Sequence, residues 1–223
     1  MMNEYILTTL LQCPLFKGMS EMEIDILMQS VKYRIIYLDK NDIYALAGSP
    51  CKYADIIIRG EMVARMVGLS GKYVEVSRLQ SGNIIAPAFI FAKDNSMPVS
   101  VETDTAVEIL RMMPSELKIL IDTNEHIRDN FIATLSNINV FLTRKMRMLS
   151  LLTVNEKVAF YIIDTAIKQK SMTIHLEKSR QEIADSFGIQ KFSLMRSLSE
   201  FASSGAISIE GKTITILNRS LLK

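Results

Sequence analysis

The sequence predicts an α+β chain: an antiparallel β-sandwich or barrel first, a long helix next, and a helix-turn-helix with a β-hairpin last. Three observations predict it. Short β-type runs broken by turn residues fill residues 33–109, an apolar seam of helical period runs through residues 131–149, and two helix-like patterns meet at Gly188. At 223 residues and 48% hydrophobic, the chain has material for two cores. The expected domains are residues 1–122, 123–150 and 151–223.

The opening "MMNEYILTTLLQCPLF" has Glu4 where a secretory leader needs a basic end, and no window reaches the ~18 uninterrupted apolar residues of a membrane span. The expected location is therefore the cytoplasm, with no membrane partner. In "SEMEIDILMQSV", Ser20 and Glu23 form an S-x-x-E capping box that starts a short helix. The β-type runs follow: "YRIIYL", "ADIIIRG", "EMVARMVG", "YVEVSRL", "NIIAPAFIF" and "VSVETDTAVEIL". Between them lie "LDKND", "LAGSP", "GLSG", "QSGN" and "KDNSM", each rich in Gly, Pro, Asn, Asp or Ser.

A helical segment from Ser115 to Met148 comes next, with a break expected at residues 122–124. Phe131, Leu135, Ile138, Leu142 and Leu149 fall near a 4-3-4 rhythm, interrupted by Lys145, with Arg128, Asp129, Arg144 and Arg147 off or beside the seam. That is the pattern of two helices lying side by side, so we read a homodimer interface there. A single amphipathic helix lying on its own domain has the same pattern.

In "SRQEIADSFGIQKFSLMRSLSEF", Ser179 and Glu182 make a second capping box, Ile183, Ala184 and Phe187 are apolar, and Gly188 supplies the turn. Leu194, Leu198 and Phe201 then form one apolar face at i, i+4, i+7, which makes the pair a helix-turn-helix. "GAISIEGKTITIL" alternates Ile207, Ile209, Ile214 and Ile216 about Glu210-Gly211, a hairpin wing carrying Lys212. Charge agrees with a polyanion partner at this end. Residues 1–142 hold 13 Lys and Arg against 17 Asp and Glu, a balance of −4, whereas residues 143–223 hold 13 against 7, a balance of +6.

In such a module the second helix enters the major groove of double-stranded DNA. The polar face offers Gln190, Lys191, Ser193, Arg196 and Ser197, with Phe192 among them. Arg196 suits both acceptors of a guanine, Lys191 suits phosphate, and Ser179, Arg180 and Gln181 stand in the first turn of the preceding helix.

These residues closely resemble the winged-helix end of the Crp/Fnr family of bacterial transcription regulators. "CPLFKGMSEMEIDIL" is similar to that family's opening P-L-F-x-G-L-S segment, and "ADIIIRGEMVARM" to its Y-x-I-x-x-G-x-V strand pair. The resemblance implies an N-terminal antiparallel β-roll of the cyclic-nucleotide-binding kind, a long dimerisation helix and a reader of two-fold-symmetric DNA. It also implies an input that changes how the dimer presents its reading heads.

The departures are as informative. Cyclic-AMP-binding members carry a phosphate cassette that begins Gly-Glu and ends Arg-Ser; here Ala86-Pro87 and Met97-Pro98 stand at those places. Burying a cyclic phosphate without its cation is costly, so cyclic AMP is not the expected ligand. The region is apolar instead: Ile85, Ala86, Pro87, Ala88, Phe89, Met97, Pro98 and Val99 form either a cavity for an unknown small-molecule effector or the packed interior of the roll. Cys13 and Cys51 fall short of the four ligands of an iron–sulfur cluster. His126 and His175 stand alone, which leaves haem open, and no metal site or resident cofactor is expected. Phe192 occupies the slot where well-known members place a cytosine-reading Glu, so the operator cannot be borrowed from them.

No Gly-rich phosphate loop, G-x-S-x-G, H-E-x-x-H or dense carboxylate cluster points to an enzyme. The competing reading is a ligand-binding signalling module whose C-terminal helices contact a protein. An activator would also touch RNA polymerase, and no residue pattern marks the surface for it.

Overall fold

A computed structural model describes residues 2–67 and 73–222, with the backbone alone at Val67, Tyr73, Val74, Lys145 and Leu149. The predicted "GLSG" turn, the Lys145 interruption and the Leu149 position of the predicted seam lie outside the described residues. The chain divides into two compact units, Met1–Val140 and Phe141–Lys223.

In the first unit, α1 (Glu4–Gln12) and α2 (Glu21–Met28) precede the strands. The expected cap is formed: the Glu23 N–H reaches the Ser20 hydroxyl while the Glu23 carboxylate accepts from the Ser20 N–H at 2.7 Å. The strands are β1 (Tyr33–Leu38), β2 (Ile43–Ala45), β3 (Ala54–Arg59), β4 (Met62–Val67), β5 (Tyr73–Leu79), β6 (Ser100–Thr103) and β7 (Val107–Met112). They pair antiparallel in two sheets, β1-β7-β3 and β2-β6-β4-β5. Leu10, Phe16, Ile24, Ile57, Met62, Ile109, Leu110 and Leu120 fill the core with the sheets' inward side chains. Gly60 turns β3 into β4 at φ +89°, where a Cβ would collide with the Ala106 carbonyl oxygen, so no other residue fits that turn.

A buried carboxylate interrupts this core. The fully buried Asp55 accepts hydrogen bonds from Arg111 (Nη2 2.7 Å; Nε 3.0 and 3.1 Å) and from the Tyr44 hydroxyl at 2.8 Å. The Arg111 guanidinium lies 4.1 Å from the Tyr53 ring centroid. Cross-strand register puts Arg34, Arg111 and Asp55 in one row over β1, β7 and β3.

Two expectations about strands are corrected. "NIIAPAFIF" is not a strand: Ile84 makes one bridge to Ile56, and the chain then turns, with Ala86 at φ +48° and the Phe89 N–H on the Ala86 carbonyl at 2.9 Å. Its apolar residues serve a buried turn, with Ile85 and Ile90 in the core and Pro87 lacking a donor. "VSVETDTAVEIL" is two strands, β6 and β7, because residues 104–106 turn the chain between sheets.

The long helical segment breaks at Asn124, as its sequence foretells, into α3 (Pro114–Thr123) and α4 (Glu125–Leu151). Asn124 is extended, and its Oδ1 accepts the Ile127 N–H at 3.1 Å to start the second helix. The seam is corrected at Phe131. Phe131, only 6% exposed, belongs to the first unit's own core and meets Phe91 edge-on at 5.8 Å; Leu135 packs against the same core. α4 leaves Ile132, Asn139, Leu142 and Met146 exposed, flanked by the half-exposed Leu135 and Ile138, so Leu142 of the predicted seam lies on the open face.

The second unit contains the end of α4, then α5 (Val154–Gln169), β8 (Thr173–His175), α6 (Arg180–Ser186), α7 (Lys191–Ser203), β9 (Ile207–Glu210) and β10 (Thr213–Ile216). The three strands form an antiparallel sheet, β8-β10-β9. Val158, Ile162, Ile174, Ala184, Leu194, Leu198, Ala206 and Ile214 make its core.

Candidate nucleic-acid interface

The interface is assembled by local chemistry. Ser179 caps α6, its hydroxyl accepting the Glu182 N–H at 3.2 Å while the Glu182 carboxylate accepts the Ser179 N–H at 2.7 Å. Hydrogen bonding to the carboxylate by the Ser179 side chain first, and by the Ser179 N–H second, holds the Glu182 carboxyl below its ordinary value. Gly188 then adopts φ +63° with nothing within 4 Å of the missing Cβ, so it is the backbone conformation, not space, that calls for glycine. The Ile189 N–H returns to the Ala184 carbonyl at 3.0 Å, closing the turn.

α7 starts after Gln190, whose side chain makes no cap, and has no acid in its first turn. Its leading N–H groups are open to an anion. Leu194, Leu198 and Phe201 face the core. Lys191, Phe192, Met195, Arg196 and Ser199 face out, with Phe192 75% exposed. Met195 and Ser199 were not singled out from sequence, although the i, i+4, i+8 progression from Lys191 marks them.

Gln181, Gln190, Lys191 and Arg196 are exposed, Ser193 is half-buried, and Lys212 is exposed in the wing turn. Gln181 donates to Asp185 at 2.8 Å. Arg196 donates from Nε to Glu200 at 2.9 Å, and Glu200 also accepts from Asn155 at 3.0 Å; the Arg196 bond first, then that of Asn155, keeps the Glu200 carboxyl low. Ser197 is a correction. It is 1% exposed with its hydroxyl unpartnered, on the core side of α7 between Leu194 and Leu198, so it cannot reach a groove. Arg180 is half-buried. Its Nη2 donates to the Gly211 carbonyl at 3.0 Å, tying the start of α6 to the wing turn, and burial lowers its pKa.

In the predicted effector region Ile85 and Met97 are buried in the first unit's core, and Ala86, Phe89 and Val99 pack against it. Pro87 is half-buried, while Ala88 and Pro98 are exposed. Cys13 and Cys51 are buried free thiols, and burial pushes Cys13 up to about 12. His126 and His175 are exposed.

A capped helix and an uncapped one meeting at a left-handed glycine, a three-stranded wing and an outward helix face carrying Lys191 and Arg196, joined in one chain to a β-roll, are the parts of a DNA-binding regulator of the winged helix-turn-helix class. Residues 156–223 match the Crp-like helix-turn-helix domain. The chain is 24% identical over 164 residues to the cAMP-activated global transcriptional regulator CRP of Shigella flexneri, covering 72% of this chain and 78% of that one. The fold is similar to the c-di-GMP responsive global regulator CLP of Xanthomonas campestris (TM-score 0.64, 19% identity, 88% of this chain and 99% of that one). It is also similar to FixK2 of Bradyrhizobium japonicum (TM-score 0.60, 16% identity, 86% and 96%). Among the described residues no helix is long and apolar enough to cross a membrane.

Proposed function

We propose that the chain acts as a homodimer reading a palindromic operator, and that its input is not cyclic AMP held in the usual phosphate cassette. The open face of α4 carries the dimer reading. Ile132, Leu135, Asn139, Leu142 and Met146 are spaced 3-4-3-4, a heptad seam, and Ile132, Leu142 and Met146 are each more than half exposed. Against cyclic AMP, Ala86 and Pro87 replace the ribose-binding pair, and Met97, replacing the phosphate-binding cation, is buried among apolar side chains. Against an iron–sulfur cluster, the Cys13 thiol is held protonated by burial.

In this reading Lys191, Gln190, Ser193 and Lys212 meet phosphate, and Arg196 with Phe192 and Met195 meets base edges. Two half-sites then lie about 34–36 Å apart on one face of the duplex. Selection of genomic fragments by the purified chain, at two salt concentrations and beside Arg196→Ala, tests it. The expected product is a palindromic site whose binding falls steeply with salt. Arg196→Ala should weaken it by about 1–3 kcal/mol. Salt-independent retention, or a site indifferent to Arg196, overturns the assignment in favour of a protein-contacting module.

A further inference from the structure

The second unit holds a cleft that the DNA-reading surface does not use. The end of α4 contributes Phe141, Arg144 and Met148, α5 contributes Phe160 and Tyr161, and Phe187 closes it at the end of α6. Its volume is about 360 Å³, within the range of small-molecule sites. Tyr161 and Phe187 pack edge-on at 5.8 Å and form the floor. Phe141 and Phe160 are about half exposed, an arrangement that leaves aromatic surface in water within a concavity.

Charge narrows the ligand. Lys168 at the rim is neutralised by Asp164 at 2.6 Å. Arg144, also exposed, makes no ion pair or hydrogen bond among the described residues. The cleft thus offers four rings, one thioether and one unneutralised guanidinium. Rings of this kind favour a flat aromatic partner at offset or edge-on geometry. A guanidinium favours a carboxylate, which it binds through two parallel N–H bonds.

We propose that this cleft binds a small aromatic carboxylate, with Arg144 taking the carboxylate and Phe141, Met148 and Phe160 enclosing the ring, and that occupancy alters DNA binding. The regulatory half rests on the reading of the chain as a DNA-binding regulator; the binding half does not. The mechanical link is Phe187, the residue before Gly188. A ligand touching both Phe187 and the end of α4 adds contacts that exist only in one arrangement of those elements, which is what population shift requires.

The chain has no Trp, so a naphthyl probe excited to the red of tyrosine absorption is read without protein emission. Naphthalene-2-carboxylate and its neutral carboxamide are titrated into the full chain and into Arg144→Gln and Phe160→Ala, in the absence of DNA. The carboxylate should saturate, the carboxamide should bind at least tenfold more weakly, and Arg144→Gln should abolish that preference while Phe160→Ala weakens both. Equal affinity for the two probes, no saturable binding, or indifference to both substitutions overturns the site. Sedimentation of the Phe160→Ala protein covers the other occupant: conversion of a dimer to a monomer means that a second copy fills the cleft, and the ligand proposal falls. DNA retention is then measured with and without carboxylate. A change of fivefold or more supports the coupling, and saturable Arg144-dependent binding with unchanged retention overturns it. Failure to retain DNA under any condition refutes the regulator reading, while the probe titration still decides the site.

Discussion

Replacing Asp55 by Ala removes the sole carboxylate of a buried network and leaves Arg111 facing Arg34 across the β1–β7 ladder with no counter-charge between them. Three N–H···O contacts from Arg111 and one from the Tyr44 hydroxyl are lost together. Taking one partner from a buried ion pair costs about 3–5 kcal/mol, because the remaining charge stays in a low-dielectric site without solvation. Replacing both partners by apolar residues, as in Asp55→Leu with Arg111→Met, removes the uncompensated charge and should restore most of the loss. Urea unfolding of the full chain measures both. Every tyrosine except Tyr161 lies in the first unit, so the near-UV tyrosine signal follows that unit. A loss below about 1 kcal/mol for Asp55→Ala, or a double variant less stable than the single one, would refute the reasoning.

Ala86→Gly should stabilise the first unit by up to about 1 kcal/mol, since a left-handed alanine costs about 1–2 kcal/mol and the extra freedom of unfolded glycine returns roughly half of that; a urea midpoint that moves down contradicts it. Glu200→Gln keeps the shape beside Asn155 but releases Arg196 and removes a negative charge from the reading surface, so affinity for the selected operator should rise roughly two- to fivefold, read by fluorescence anisotropy. The carboxyls of Glu23, Glu156 and Glu182 are all lowered by bonds to their capping residues. A lowered acid contributes stability that is present above its unfolded value near 4.5 and is lost as pH falls through the folded value. Thermal melts should therefore drop below that pH, and Glu182→Gln should make the drop shallower.

What was legible in the sequence is what local chemistry determines. Ser20 with Glu23, Ser179 with Glu182 and the turn at Gly188 each involve groups a few residues apart, and each takes its expected geometry. Apolar period is less discriminating. It finds helix α4 but cannot say whether Phe131 meets its own core or another copy. A continuous apolar run is equally ambiguous, which is why "NIIAPAFIF" resembles a strand while forming a buried turn. Ser197 misleads because a hydroxyl reads as part of a polar face, whereas here it is buried between Leu194 and Leu198 without a partner. Met195 carries no strong hydrogen-bonding group, so only its place on the face of Lys191 marks it. The Arg180–Gly211 and Asp55–Arg111 bonds join positions 31 and 56 residues apart, and no local pattern announces either.

The Arg180–Gly211 bond bears on how such a protein changes over evolutionary time. It fastens the first helix of the pair to the hairpin, while the α5–α7 core holds the second helix, so the proposed reading surface is internally fixed. In the proposed reading, a signal can alter how often that surface is offered, but not the letters it recognises. Vocabulary and trigger become separately heritable: substitutions on the outward face of α7 rewrite the address without disturbing what the protein listens to, and a new stimulus can be adopted without relocating a single binding site in the genome.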